Sequence, residues 1–226
     1  MNSNRKIAII VGILFIIGTA AGVISVVLTG PIVGAPDYLS KVAANPSYIT
    51  AGAFFILIMG LSLAMVPVVM FPIFRKLNET LAIGYVVFRG ALETMITIAQ
   101  VICFLALVIL SQKYIGAGAP AASYFQTLGA LLMDGNTAFA AILEIVFPLG
   151  ALMFYYLLYM ARLIPRWISA WGFIAAILYL FGGIYDMFSA SLVVLFLPML
   201  LQEMVMAIWL IVKGFNPSAI DASAKA

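Results

Sequence analysis

Six long apolar runs constrain this chain more than any other feature of its sequence. Crossing about 30 Å of hydrocarbon takes roughly 20 apolar residues in a helix, so each run predicts one transmembrane span. A segment inside a bilayer must also satisfy its own backbone hydrogen bonds, which favours helices over open strands. The six predicted spans cover residues 8–28, 48–74, 81–110, 138–160, 168–185 and 189–212.

The scarcity of charge supports this reading. Of the 226 residues, 66% are apolar and only 8% are charged, as 11 Lys and Arg and 8 Asp and Glu. Soluble domains carry about 25% charged residues. The composition excludes a soluble enzyme, a disordered chain and a nucleic-acid-binding protein, whose basic surface would be far larger. We predict an all-α, polytopic membrane protein with one domain over residues 1–215 and a short polar tail over 216–226.

Two residue types that usually hold metals are almost absent. The chain has no His and a single cysteine, Cys103. Imidazole is the commonest catalytic metal ligand, and zinc or iron–sulfur sites built on thiolates need several cysteines. We therefore predict no metal and no cofactor.

Basic residues orient the predicted bundle. Six spans place alternate loops on the same side, and eight of the eleven basic residues fall on one side: Arg5, Lys6, Arg75, Lys76, Arg162, Arg166, Lys213 and Lys225. Lys41 and Lys113 fall on the other side. Cytoplasmic loops are enriched in Lys and Arg, so both termini are predicted to be cytoplasmic.

The two longer outer loops each predict a short amphipathic helix. In the first loop, Pro36 and Asp37 mark a helix start with Asp37 as the N-cap, and Asn45–Pro46 marks the end. In the second loop, apolar residues between Tyr124 and Leu132 repeat at helical spacing.

Polar residues inside the spans are the candidates for function. Five of them share one face of the third span: Tyr85, Arg89, Glu93, Thr97 and Gln100. The sixth span adds Gln202 and Glu203, and the fourth adds Glu144. An ionisable side chain at the bilayer centre costs about 2.5–3.5 kcal/mol on insertion scales, so such residues are a functional hypothesis by default. We predict that these eight residues line an intramembrane polar pocket.

A structural interpretation of the same charges stays open. Arg89 could bridge Glu93 and Glu203 and so determine how the helices pack. Gly18 and Gly22 form a GxxxG pattern in the first span, which is predicted to allow close packing within the bundle rather than dimerisation.

Three segments resemble a known bacterial membrane family. They are FPIFRKLNETLAIGYVVFR at 71–89, ARLIPRWISAWGFIAAILYL at 161–180 and QEMVMAIWLIVKGF at 202–215. Together they resemble the family known as domain of unknown function forty-three eighty-six. The resemblance implies an integral membrane protein of the bacterial cytoplasmic membrane and supplies no substrate, cofactor or catalytic residue.

Three classes of function follow. The first is non-enzymatic binding or translocation of a small or lipid-like molecule through the polar pocket, with Arg89 holding an anionic group. The second is a structural or partner subunit whose charges only pair for packing. The third is an intramembrane enzyme that uses carboxylates on a lipid, and the absence of a nucleophile–base pair counts against it. Membrane lipids and a small-molecule ligand are the predicted partners, nucleic acid is not, and the sequence predicts no oligomeric state.

Overall fold

A computed structural model of the protein describes residues 3–117, 122–189 and 192–217. Within these ranges the chain is all-α, as predicted. The helices are α1 (Ser3–Val33), α2 (Tyr38–Ala44), α3 (Pro46–Phe74), α4 (Glu79–Tyr85), α5 (Glu93–Ala117), α6 (Ala122–Ala161), α7 (Arg166–Asp186) and α8 (Leu197–Val212). A π-helical segment, Val86–Leu92, joins α4 to α5, and a 3-10 turn, Val193–Leu195, precedes α8.

Six helical stretches in the described residues are long and apolar enough to cross a membrane. They are Asn4–Val33, Pro46–Phe74, Glu79–Ala117, Ala122–Ala161, Arg166–Asp186 and Val193–Val212. Each contains or closely matches one predicted span, so the chain is a multi-pass membrane protein. Residues 190–191 of the predicted sixth span, and residues 218–226 of the predicted tail, lie outside the described residues.

The spans close into a bundle in chain order. α1 packs against α3, α3 against α5, α5 against α6, α6 against α7, and α7 against α8. The last helix, α8, returns to pack against α1. This arrangement gives the π-helical segment neighbours in both α3 and α6.

Both ends of the described chain lie at the same end of the bundle. Arg5 of α1 donates hydrogen bonds to the carbonyl oxygens of Leu210, Ile211 and Val212 at distances of 3.0, 2.6 and 3.1 Å. These carbonyls belong to the last turn of α8, where no following backbone N–H groups of the helix are available to bond them. The backbone N–H of Asn216 donates to the carbonyl of Leu163 in the α6–α7 turn at 2.8 Å. The even number of spans predicted from the basic residues agrees with this geometry.

The helix predicted in the first of the two longer loops is confirmed. α2 begins at Tyr38 after Asp37 and ends before Asn45, and Leu39 and Val42 are buried beneath it. Asp37 makes no side-chain capping bond but pairs with Lys41, one turn along, at 3.4 Å.

The second outer-loop segment is helical but is not a separate short helix. α6 runs without interruption through Asp134, Gly135 and Asn136, three turn-forming residues that follow the predicted segment. The apolar residues from Tyr124 to Leu132 are therefore the first turns of a 40-residue helix. These three residues have low helix propensity, but the helical pattern continues on both sides of them and outweighs that local preference.

The GxxxG pattern serves packing within the bundle, as predicted. A Cβ at Gly18 would lie 2.7 Å from Leu63 of α3, and one at Gly22 would lie 2.8 Å from the Met59 sulfur. Gly52 of α3 approaches Thr29 of α1 more closely still. Small residues let the two backbones meet where the lipid supplies no hydrophobic driving force.

Gly183→Ala is expected to lower the free energy of unfolding by about 1–3 kcal/mol, the usual cost of overpacking. A Cβ at Gly183 would lie 2.6 Å from the backbone oxygen of Glu144 in α6, and backbone cannot move aside cheaply. Gly135→Ala is the matched control, because no atom lies within 4 Å of its Cβ position. Thermal unfolding in detergent measures both. Equal melting temperatures for the two variants would contradict the close α6–α7 contact.

Candidate functional site

The π-helical segment presents Arg89 to the interior of the bundle. The N–H of Glu93 donates to the carbonyl of Phe88, five residues back, which marks the end of the wider turn. Gly150 of α6 packs against this segment, and a Cβ there would lie 3.3 Å from the backbone nitrogen of Arg89. Segments of π-helix occur frequently at functional sites. Here the segment carries an arginine of which only 3% is exposed.

Two carboxylates bind the Arg89 guanidinium from different spans. Nη1 donates to Glu93 Oε2 at 3.2 Å, one turn along the same helical stretch. Nη2 donates to Glu203 Oε1 of α8 at 3.4 Å. We call these three residues the Arg89 cluster. Its second ion pair connects the third span to the sixth, which are far apart in the chain.

Aromatic rings surround the Arg89 cluster. The guanidinium carbon lies 4.5 Å from the centre of the Phe147 ring and 5.8 Å from that of Phe15. Attraction to a ring face is worth up to about 2 kcal/mol when both groups are desolvated. These contacts stabilise the cation where water is excluded.

The enclosed space beside the cluster is small. It has a volume of about 10 Å³, close to the minimum for one water molecule. The residues that line it come from α1, the third span, α6 and α8: Phe15, Tyr85, Arg89, Phe147, Ala151, Phe154, Tyr155 and Glu203. The predicted polar pocket is therefore closed in this conformation.

Gln202 holds three helices together next to the cluster. Its side-chain oxygen accepts a short hydrogen bond from the Tyr155 hydroxyl of α6. Its Nε2 donates to the carbonyl of Ile168 in α7 at 3.0 Å. Both partners are buried, and Tyr155 lines the space beside Arg89, so Gln202 supports the site through Tyr155.

The structure brings together some of the eight predicted residues and separates others. Tyr85, Arg89 and Glu203 line the enclosed space, and Glu93 pairs with Arg89. Thr97 is buried, but its hydroxyl donates to the backbone oxygen of Glu93 at 2.8 Å and so stays within its own helix.

Gln100 and Glu144 lie outside the enclosed space. Gln100 is half-buried about 10 Å along α5 from Glu93, at 1.5 Å per residue. Glu144 is also half-buried and lies against Gly183 of α7, two turns of α6 before Ala151. It makes no ion pair with Arg89 in the described part of the chain.

Sequence reasoning missed the aromatic side of the site. Phe147, Ala151, Phe154 and Tyr155 are spaced at i, i+4, i+7 and i+8, which places them on one face of α6. That spacing is visible in the sequence and could have been found. Phe15 could not, because nothing in the first span distinguishes it from the lipid-facing residues around it.

Tyr155→Phe is expected to destabilise the protein by about 1–3 kcal/mol, because it leaves the buried Gln202 oxygen without a donor. Tyr156→Phe is the matched control, because the side chain of Tyr156 is next in the sequence and is 44% exposed. The measurement is thermal unfolding of both variants in the same detergent. Equal destabilisation would show that the Tyr155–Gln202 bond contributes nothing.

Comparison with known proteins agrees with the architecture. The family described as Domain of unknown function (DUF4386) matches residues 10–214, which includes the complete Arg89 cluster, most of the first span and all of the other five. No curated protein and no solved structure is similar to the chain. With nearly its whole length matched, the chain belongs to the DUF4386 family of membrane proteins.

Proposed function

We propose that the protein binds or translocates a small or lipid-like molecule whose anionic group replaces Glu203 at Arg89. The observation that carries the proposal is the incomplete use of the Arg89 donors. The Nε–H of Arg89 is buried and has no hydrogen-bond partner among the described residues. An unsatisfied buried donor costs about 1–3 kcal/mol, and more when it is charged. A ligand that accepts a hydrogen bond from this donor would remove that cost.

The lengths of the two ion pairs support exchange. Charge-assisted hydrogen bonds between nitrogen and oxygen are usually 2.7–2.9 Å long. The contacts of Arg89 measure 3.2 and 3.4 Å, and the longer one is to Glu203. Glu203 is also the more exposed of the two carboxylates, at 12% of its side chain against 8% for Glu93. Glu203 is therefore the partner that an anion displaces.

Charge balance couples this exchange to a proton. One guanidinium faces two carboxylates, so a single proton on the carboxylates makes the cluster neutral. A monoanion that enters must bring a second proton, or it leaves an uncompensated negative charge in a region of low dielectric. The hydroxyls of Tyr85 and Tyr155, and the more distant Glu144 and Tyr179, are the other titratable groups near the cluster. We infer uptake of one proton for each monoanion bound.

A structural role is the second candidate, and the small enclosed volume favours it. A space of about 10 Å³ admits no ligand without movement of the helices. On this interpretation the Arg89 cluster only ties the third span to the sixth. Removal of one partner from a buried pair then costs about 3–5 kcal/mol of stability.

Binding of decanesulfonate separates the two candidates, because its charge does not change with pH and decanol is its neutral counterpart. We expect the purified protein to bind decanesulfonate at least tenfold more tightly than decanol, measured by calorimetry in a non-ionic detergent. Arg89→Ala should weaken binding of the sulfonate about tenfold or more, since a hydrogen-bonded charge pair is worth about 1.5–3 kcal/mol. With one proton taken up, the affinity should fall about tenfold for each unit of rising pH.

Two further variants complete the test. Glu203→Gln should keep both binding and its pH dependence, because Glu93 alone then balances Arg89 and must take up the proton when the anion enters. Arg75→Ala removes an exposed arginine from the turn after α3 and should change nothing. A folded Arg89→Ala variant that melts much lower and binds decanesulfonate as the wild type does would overturn the ligand proposal and favour the structural role.

We also propose that the protein lies in the bacterial cytoplasmic membrane with both termini in the cytoplasm. The basic residues of the termini, the α3–α4 turn and the α6–α7 turn support this orientation through the positive-inside rule.

Cysteine labelling in intact cells tests the orientation. In a Cys103→Ala background, Lys113→Cys should react with a membrane-impermeant maleimide added from outside. Lys213→Cys should react only after the cells are permeabilised. The reverse pattern would place the termini outside.

A further inference from the structure

A groove between α5 and α6 lies apart from the Arg89 cluster and has a volume of about 310 Å³. We call it the α5–α6 groove. Ile109 on one wall and Leu131 on the other are each more than 60% exposed, so the groove faces the lipid. The residues that define its walls are Ala106, Ile109, Leu110 and Lys113 of α5 and Leu128, Leu131 and Leu132 of α6.

The two walls offer almost no polar contact. Ala106, Ile109 and Lys113 recur at i, i+3 and i+7, which places them on one face of α5. The opposite wall consists of leucines of α6. A water molecule needs two to four polar partners to occupy a cavity, and these walls do not supply them. The chemistry that fits the groove is a hydrocarbon chain.

Lys113 places a positive charge at one end of the groove. It lies one turn before the end of α5, where the neighbouring Gln112 donates to the carbonyl of Ala43 in α2 at 3.0 Å. This contact puts Lys113 at the end of the bundle where α2 packs against α5. A lysine can lay its aliphatic stem along apolar surface and keep its ammonium group at the interface.

Lys113 has no acidic partner among the described residues. Lys41, in the same region of the bundle, pairs with Asp37 at 3.4 Å. Lys113 makes no ion pair within residues 3–117, 122–189 and 192–217. Its ammonium group is therefore available to an acidic group from outside the chain.

We propose that the α5–α6 groove binds an anionic phospholipid, with one acyl chain between the leucine wall and Ile109 and the phosphate at Lys113. The positive charge of Lys113 lies at one end of the groove, and the rest of the groove is apolar. This combination favours an amphiphile with a negatively charged head group. A single basic side chain near anionic head groups contributes about 1 kcal/mol of attraction. The proposal does not depend on the function proposed for the Arg89 cluster.

Native mass spectrometry with an equimolar mixture of phosphatidylglycerol and phosphatidylcholine of identical acyl chains tests it. The wild-type protein should retain phosphatidylglycerol about fivefold more than phosphatidylcholine, the effect of one basic residue near the head group. Lys113→Met should abolish this preference. Ala106→Phe fills the groove and should reduce retention of both lipids. Lys41→Met is the matched control and should keep the fivefold preference.

Several outcomes would overturn the proposal. One is a preference that survives in Lys113→Met or is lost equally in Lys41→Met. Another is an Ala106→Phe variant that retains both lipids as the wild type does. If that variant converts a dimer to a monomer with lipid retention unchanged, a second copy of the chain occupies the groove instead. Arg89→Ala should leave the lipid preference intact, so failure here is distinct from failure at the Arg89 cluster.

Discussion

A single guanidinium held inside an apolar bundle determines much of this structure. Desolvating a charge costs several kcal/mol even after relaxation, so Arg89 can be buried only where other groups compensate for lost water. Two carboxylates and two aromatic rings provide that compensation. They come from α1, α5, α6 and α8, so four separate parts of the chain must converge on one side chain. The packing of the bundle and the state of this charge are therefore linked.

The groups around Arg89 replace some, but not all, of the interactions that it would make with water. Arg89 can donate five hydrogen bonds, and its Nε–H has no partner among the described residues. By contrast, the adjacent Gln202 uses both ends of its amide, to Tyr155 and Ile168. An amide bonded at both ends beside an incompletely satisfied cation indicates which of the two is rigid structure. The Gln202 contacts hold α6, α7 and α8 in place, and the Arg89 cluster retains capacity for another acceptor.

The sequence predicted the spans because hydrophobic length and charge scarcity are summed over many residues and tolerate local error. It also predicted that Arg89 could bridge Glu93 and Glu203, because each of these charges needs a partner in the bilayer. It could not predict the π-helical segment, since the choice between an i−4 and an i−5 acceptor depends on how Gly150 and α3 pack around it. Glu144 was placed in the pocket on its charge, but α6 turns it toward Gly183 and α7 instead.

The two ends of α8 are held differently, which bears on the proposed displacement of Glu203. Its last turn is fastened to α1, where Arg5 donates to three successive carbonyls. Its first turn follows a 3-10 turn and contains Pro198, which donates no backbone hydrogen bond. Glu203 lies in the middle, six residues after the helix begins. The exchange proposed at Arg89 requires Glu203 to move, and α8 would then pivot about its last turn, which Arg5 fastens to α1.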